Sequence, residues 1–299
     1  MKIRNVNNKK VLEHDFQSMN EFLDYILTQP INTEVFHPSM LESARTDFNF
    51  VKFSKTKTFE EAVNLCRFGY FENFDKFYRD KVMLQPRFTN DGIGSRLSND
   101  YVGFYPDIKA FMDGNPLNMV NNVLIPKGKI SIYYCVGISG ASNEKVMYNR
   151  GVITLNIIEY FERMGYSVDL NFFDLTNDSY FIQKQYLLIK FVLKKVSERV
   201  NPQLLYFPMC HPAFSRRLVF RLIEQTPHLS QYYSDSYGYH CTLDEMQEII
   251  GADDKTIIIG WAQDMKIEGE DLIDDAEAML KVIGERNLQK TLKLPKIIR

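Results

Sequence analysis

The densest run of reactive groups in this 299-residue chain is His211-Pro212-Ala213-Phe214-Ser215-Arg216-Arg217. Two guanidiniums within one helical turn offer planar, paired N–H donors that can hold a phosphate or a carboxylate, and His211 adds a group able to carry or accept a proton. Pro212 suits the first position of a helix, so the free N–H groups of that turn would face the same anion. The competing arrangement spends one arginine on Glu198 or Asp244 and leaves the other in water. Cys210-His211 and His240-Cys241 form a mirrored pair whose thiols and imidazoles are a set zinc accepts. Adjacent ligands diverge, however, and lack the gap of a zinc knuckle, so neither a metal nor another cofactor is expected. The same residues read as a Cys–His nucleophile pair lack an orienting carboxylate. A second donor group is Ser139, Ser142 and Asn143, in a loop where Gly140 exposes backbone N–H groups, with Arg150 just behind it. Tyr232, Tyr233, Tyr237 and Tyr239, interleaved with serines, have the composition of a binding surface and equally that of a long loop packed by its own aromatics.

Positioning these groups takes an alternation of strands and helices. An apolar run over 130–136 reads as a strand, followed by a Gly/Ser loop and a helix through Val152, Ile153, Leu155, Ile158 and Phe161 that Gly165 closes. Residues 167–175 and 180–192, joined at Asn177-Asp178-Ser179, read as an antiparallel hairpin. A strand over 204–209, a helix from Pro212, a strand over 256–261 and a final helix over 271–284 complete the pattern. Upstream, Asp15 and Ser18 precede an amphipathic helix that ends before Pro30. Phe50, Val51 and Phe53 look strand-like, and Thr58 caps a helix that Gly69 ends. Such alternation predicts an α/β, Rossmann-like three-layer fold with a mostly parallel sheet and one antiparallel edge strand. In that architecture ligands gather at the carboxyl ends of the strands, here 137–145, 209–217 and 262–268. The expected organisation is an α+β extension over 1–115, the Rossmann-like core over 116–285, and a basic tail over 286–299.

Composition excludes several classes. Lys plus Arg number 36 against 38 Asp plus Glu, so there is no global basic field for nucleic acid or an anionic membrane. Arg286, Lys290, Lys293, Lys296 and Arg299 form a local basic patch that could still touch nucleic acid, or pair with the acids at 264–277. Apolar runs are too short to span a membrane, and the polar N-terminus has no leader pattern. Four cysteines without a Cys-x-x-Cys pair fit a reducing, cytoplasmic setting. No Gly-x-Gly-x-x-Gly, phosphate-loop, His-Glu-x-x-His or Gly-x-Ser-x-Gly motif occurs.

The succession of central strand, helix, antiparallel hairpin and further strand–helix units resembles von Willebrand factor A-like domains. The loop from Gly137 resembles their Asp-x-Ser-x-Ser metal-adhesion loop, with Gly137 where the acid would stand. A degenerate, metal-independent version is implied, because a hard cation needs anionic oxygens. Three further stretches, Tyr105-Pro106-Asp107-Ile108 through Met119, Asn149-Arg150-Gly151 through Leu170, and His211-Pro212-Ala213-Phe214 with Arg216-Arg217, together resemble an uncharacterised family of tailed-bacteriophage proteins over about residues 55–225. That resemblance implies a viral protein made in a bacterial host cell.

The leading expectation is a non-enzymatic binding protein that grips a protein partner, or an anionic small molecule, through Ser139, Ser142, Asn143, Arg150, His211, Arg216 and Arg217 or through the tyrosine loop. The alternative is a phosphate-handling enzyme, a nuclease or nucleotide-processing activity, with His211 as acid or base and both arginines on phosphate oxygens.

Overall fold

A computed structural model describes residues 1–83, 95–124, 128–137, 144–178, 184–196, 198, 200–229 and 237–261. The chain begins with a tight hairpin of β1 (Lys2–Val6) and β2 (Lys9–Phe16), turning on Asn7 and Asn8. Both asparagines have positive φ, at 44° and 67°, as a two-residue turn matched to strand twist requires. Ser18 then accepts a hydrogen bond from the Glu21 N–H and opens α1 (Met19–Thr28). The strand-like 50–53 run is instead helical. Asp47 accepts from the Phe50 N–H at 3.1 Å, and that cap wins over the β preference of Phe and Val in α2 (Phe48–Ser54). Thr58 caps α3 (Phe59–Phe68) and Gly69 ends it, as the sequence predicts. Next come α4 (Phe74–Met83) and a small antiparallel sheet of β3 (Ser95–Asp100), β4 (Tyr105–Pro106) and β5 (Met119–Leu124), with the short α5 (Ile108–Met112) between the last two.

The main sheet uses β6 (Gly128–Cys135), β7 (Tyr166–Asn177), β8 (Gln185–Lys194) and β10 (Thr256–Ile259), in the order β1-β2-β8-β7-β6-β10, with β9 (Tyr239–His240) pairing on the far end of β7. Pairings β2–β8, β7–β6 and β6–β10 are parallel. Those of β1–β2, β8–β7 and β7–β9 are antiparallel. The fold is therefore mixed α/β of generic Rossmann-like type. Two features depart from expectation. The β7–β8 hairpin lies inside the sheet, and residues 2–16, read as part of an extension, supply the true edge.

The strand expected over 204–209 is α7 (Pro202–Cys210). Asn201 accepts from the Gln203 N–H, Pro202 sits in the first turn, and Leu205, Tyr206, Phe207 and Met209 are all buried. A short helix buried on most sides reads as a continuous apolar run, which periodicity alone cannot tell from a strand. The helix expected from Pro212 does form; it winds as a π-helix over Phe214–Val219 and continues as α8 (Phe220–Gln225).

Alternation along the strands builds two cores. Ile130, Ile132 and Tyr134 of β6 with Val168, Leu170 and Phe172 of β7 pack against α6 (Glu144–Arg163), α7, α8, α1 and α3. Cys135, Phe173 and Leu175 face α9 (Leu243–Ile250) on the other side. The 271–284 helix and the 286–299 tail lie outside the described residues. No helix among the described residues is long and apolar enough to cross a membrane.

Candidate functional site

The π-helical turn aims Arg216 and Arg217 inward. Arg217 is fully buried and all five of its N–H groups are taken. Nη1 donates to the carbonyls of Ser43 (3.0 Å) and Arg45 (2.6 Å), Nη2 to those of Thr56 (2.8 Å) and Lys57 (3.2 Å), and Nε to Thr56 Oγ1 (3.2 Å). Its guanidinium also lies 4.7 Å from the Phe50 ring centre. These acceptors bracket α2, so Arg217 ties both ends of that helix to the core. Arg216 is sandwiched between the rings of Phe53 (4.9 Å) and Phe220 (5.0 Å), and burial lowers its pKa to about 10 despite Glu42 and Asp174 nearby.

His211 lies at the junction of α7 and the π-helical turn. Burial, aided by the Lys55 charge, lowers its pKa to about 4, so the imidazole is neutral near pH 7. Its Nδ1 accepts from the Ala213 N–H at 3.2 Å, which puts the remaining proton on Nε2. A triad histidine does the reverse, donating from Nδ1 to a carboxylate. Burial also holds the Cys210 thiol protonated, well above its ordinary range, so the pair is no nucleophile dyad at rest.

What His211 does line is a cavity of about 560 Å³ between α3, α4, α6 and α7. That volume is within the range of small-molecule sites. One wall is aromatic. Tyr70 stacks on Tyr206 with centres 5.3 Å apart and meets His211 edge-on at 4.7 Å, and Tyr148 stands beside them. Tyr206 donates to the Glu72 carbonyl (2.9 Å) and Tyr148 to Asp80 Oδ2 (2.7 Å), which fixes both rings. Lys55 and Lys76 bring two cations, while Glu61 already accepts from the Lys57 N–H and Glu72 from the Tyr70 hydroxyl. Gly151 makes the α6–α7 contact possible, since a Cβ there would lie 2.6 Å from Cys210 Sγ. Neither Arg216 nor Arg217 lines this cavity.

At the carboxyl end of β6 the sequence reading missed a carboxylate. Asp174, from the adjacent strand β7, is buried with Oδ1 accepting no hydrogen bond, and desolvation raises its pKa to about 7 against the pull of Arg216. The signal was an acid inside the apolar run Phe172-Phe173-Asp174-Leu175. A Cβ on Gly137 would fall 2.6 Å from Asp174 Oδ1 and 2.9 Å from the Trp261 ring. The space beside Gly137 is thus filled by a neighbouring strand's side chain and an indole. Gly137→Ala is expected to destabilise the fold by about 1–3 kcal/mol through overpacking. Urea unfolding measures this, and a change under about 0.5 kcal/mol would show that the crowding is not real.

The other sequence candidates are dispersed. Arg150 is buried in α6. Its Nη2 donates to the Cys135 carbonyl at 2.5 Å and its guanidinium covers the Tyr134 ring at 4.6 Å, tying helix to strand. Tyr237 is held inward, donating to Glu224 Oε1 (2.7 Å), accepting from the Glu42 N–H (2.8 Å) and stacking on Phe220 at 4.3 Å. Tyr239 is half-buried in β9. Ser139, Ser142, Asn143, Tyr232 and Tyr233 lie outside the described residues. Cys210 and Cys241 belong to the cores on opposite faces of the sheet, which takes apart the mirrored zinc set. No metal-holding group of three or more His, Cys, Asp or Glu occurs among the described residues.

A family model described as a domain of unknown function (DUF7192) matches residues 4–287. No curated protein and no solved structure matches the chain.

Proposed function

We propose, since this chain belongs to the DUF7192 family, a domain of unknown function, that it is a non-enzymatic binding protein whose ligand is a small planar anion seated in the His211 cavity. The observation carrying this reading is that the Tyr70–Tyr206 stack and two lysines line one cavity of ligand size. An aromatic wall takes a flat ring, the ammonium groups take an anionic substituent, and neutral His211 offers one polar contact. The inert state of Cys210 and the orientation of His211 favour binding over turnover. A degenerate von Willebrand A-like frame is supported by the run β10-β6-β7-β8 with β8 antiparallel, the β1–β2 hairpin being added outside it.

Adenosine 5′-monophosphate is a suitable first probe, followed by adenosine and inorganic phosphate alone. Titration calorimetry should show the nucleotide binding, with Lys76→Ala and Tyr70→Ala each weakening it by about tenfold, the size of one charge-assisted or stacking contact. Lys76 is exposed, so its variant keeps the fold, whereas Tyr70 packs partly buried against the core and its variant is first checked by circular dichroism and thermal midpoint. Absence of binding by all three probes, or affinity unchanged in both variants, would remove the cavity from consideration.

A further inference from the structure

The small sheet β3-β5-β4 carries an inverted surface. In α5, Ile108, Phe111 and Met112 stand at i, i+3 and i+4, the spacing of a buried stripe, yet they are 74%, 65% and 78% exposed. Ala110 is the residue α5 turns inward. Its orientation is pinned by Asp107, which accepts from the Ala110 N–H at 3.1 Å. The turn between β3 and β4 adds Tyr101, Val102 and Phe104, all largely exposed. With 150–250 Å² for each aromatic side chain and less for Ile, Val and Met, these six leave on the order of 700–900 Å² of largely apolar surface bare. A monomer ordinarily leaves about 300–600 Å² in its largest patch, whereas one partner of a standard stable interface contributes about 800 Å².

We propose that this face is the self-association surface of the protein and that its occupant is a second copy of the same chain. The area matches what each half of a dimer must bury. The chemistry is also self-complementary. An apolar stripe needs no opposite partner, and the two charges beside it, Lys109 and Asp113, are of opposite sign, so a two-fold axis can pair them. The nearby carboxylates of Asp100 and Asp107 are already engaged by the Tyr101 N–H and by Asn99.

Sedimentation velocity on the full chain from about 1 to 100 µM tests this, since dimerisation follows mass action. The expected result is twice the chain mass for the wild type. Phe111→Asp with Met112→Asp should weaken the dimer at least about 100-fold, leaving the circular dichroism spectrum unchanged because both side chains face solvent within one copy, and lowering the thermal midpoint only to that of the wild type diluted to monomer. Ile3→Asp, an exposed apolar position on β1, should leave the dimer intact. A wild type that stays monomeric throughout, a dimer that survives the double substitution, or a different protein co-purifying on this face would each overturn the proposal.

Discussion

Arg217→Ala is expected to lower the folding free energy by about 3–5 kcal/mol, among the largest single-residue losses in this chain. Four carbonyls and one hydroxyl lose a charged donor at once. Each bond to an ionised group is worth about 1.5–3 kcal/mol, and water can recover part of the loss for the outermost acceptors. The effect also spreads. The helix α2 offers little of its own to the core, with Phe50 and Ser54 buried and Phe48 79% exposed, so Arg217 is its principal tether. Arg217→Lys should recover only a fraction, because one ammonium cannot reach acceptors on both sides of the helix. Chemical denaturation gives the free energy, and hydrogen exchange should show residues 43–57 losing protection first. A loss under about 1 kcal/mol would mean that these contacts do not form in solution. The same arginine read from the sequence looks like an anion ligand; its stability cost is the measurement that separates the two roles.

The second large effect is electrostatic and depends on pH. Asp174 has a folded-state pKa raised to about 7 by burial, against an ordinary value of 3.8. Between those values the unfolded chain has released a proton that the folded chain keeps, so stability falls as pH rises and levels off above about pH 7. At about 1.4 kcal/mol per pH unit the full penalty is roughly 4 kcal/mol. Asp174→Asn removes it. The variant should match the wild type near pH 4 and exceed it by about 2–4 kcal/mol at pH 8, with the lower figure allowing for the different hydrogen-bonding of an amide in place of a protonated carboxyl. His14 and His211, both lowered to about 4 by burial, act in the opposite sense by destabilising the fold as pH drops from 6.5 toward 4. The difference between wild type and variant isolates Asp174 from them. Parallel pH profiles for the two proteins would show that Asp174 is ionised in the fold and that its environment is wetter than its burial implies.

Local signals in the sequence are reliable here wherever a cap or a glycine punctuates a pattern. Ser18, Thr58, Gly69 and Gly165 bound their helices, and the hairpin of β7 and β8 follows from two apolar runs and a polar turn. The failures have physical causes. α7 is buried on nearly every side, so its residues carry no polar phase to mark a helix. β1 and β2 alternate polar and apolar residues weakly, and the Asn7-Asn8 turn is their main signature. Site residues are harder still. His211 could be singled out because it follows Cys210 and precedes Pro212, but Tyr70, Lys76 and Tyr148 reach the same cavity from three other elements. No spacing along the chain records that convergence. Donor count misleads in the arginine pair, because a sequence shows the number of N–H groups and not the carbonyls waiting for them.

The pairing of β2 with β8 joins Lys10 to Gln185 and Phe16 to Phe191. On the ribosome the first partner therefore exists long before the second. At a synthesis rate of about 5–20 residues per second, the opening hairpin waits roughly 10–35 s with one strand edge unclaimed. During that interval Val11 and Leu12, later fully buried, stand on a bare ladder of N–H and C=O groups. Lys9, Lys10, Glu13 and Asp15 along the same strand are charges of the kind that disfavour edge-to-edge pairing with another chain. Vectorial synthesis thus sets the interval over which an unpaired strand edge has to be tolerated, and it ends when β8 arrives.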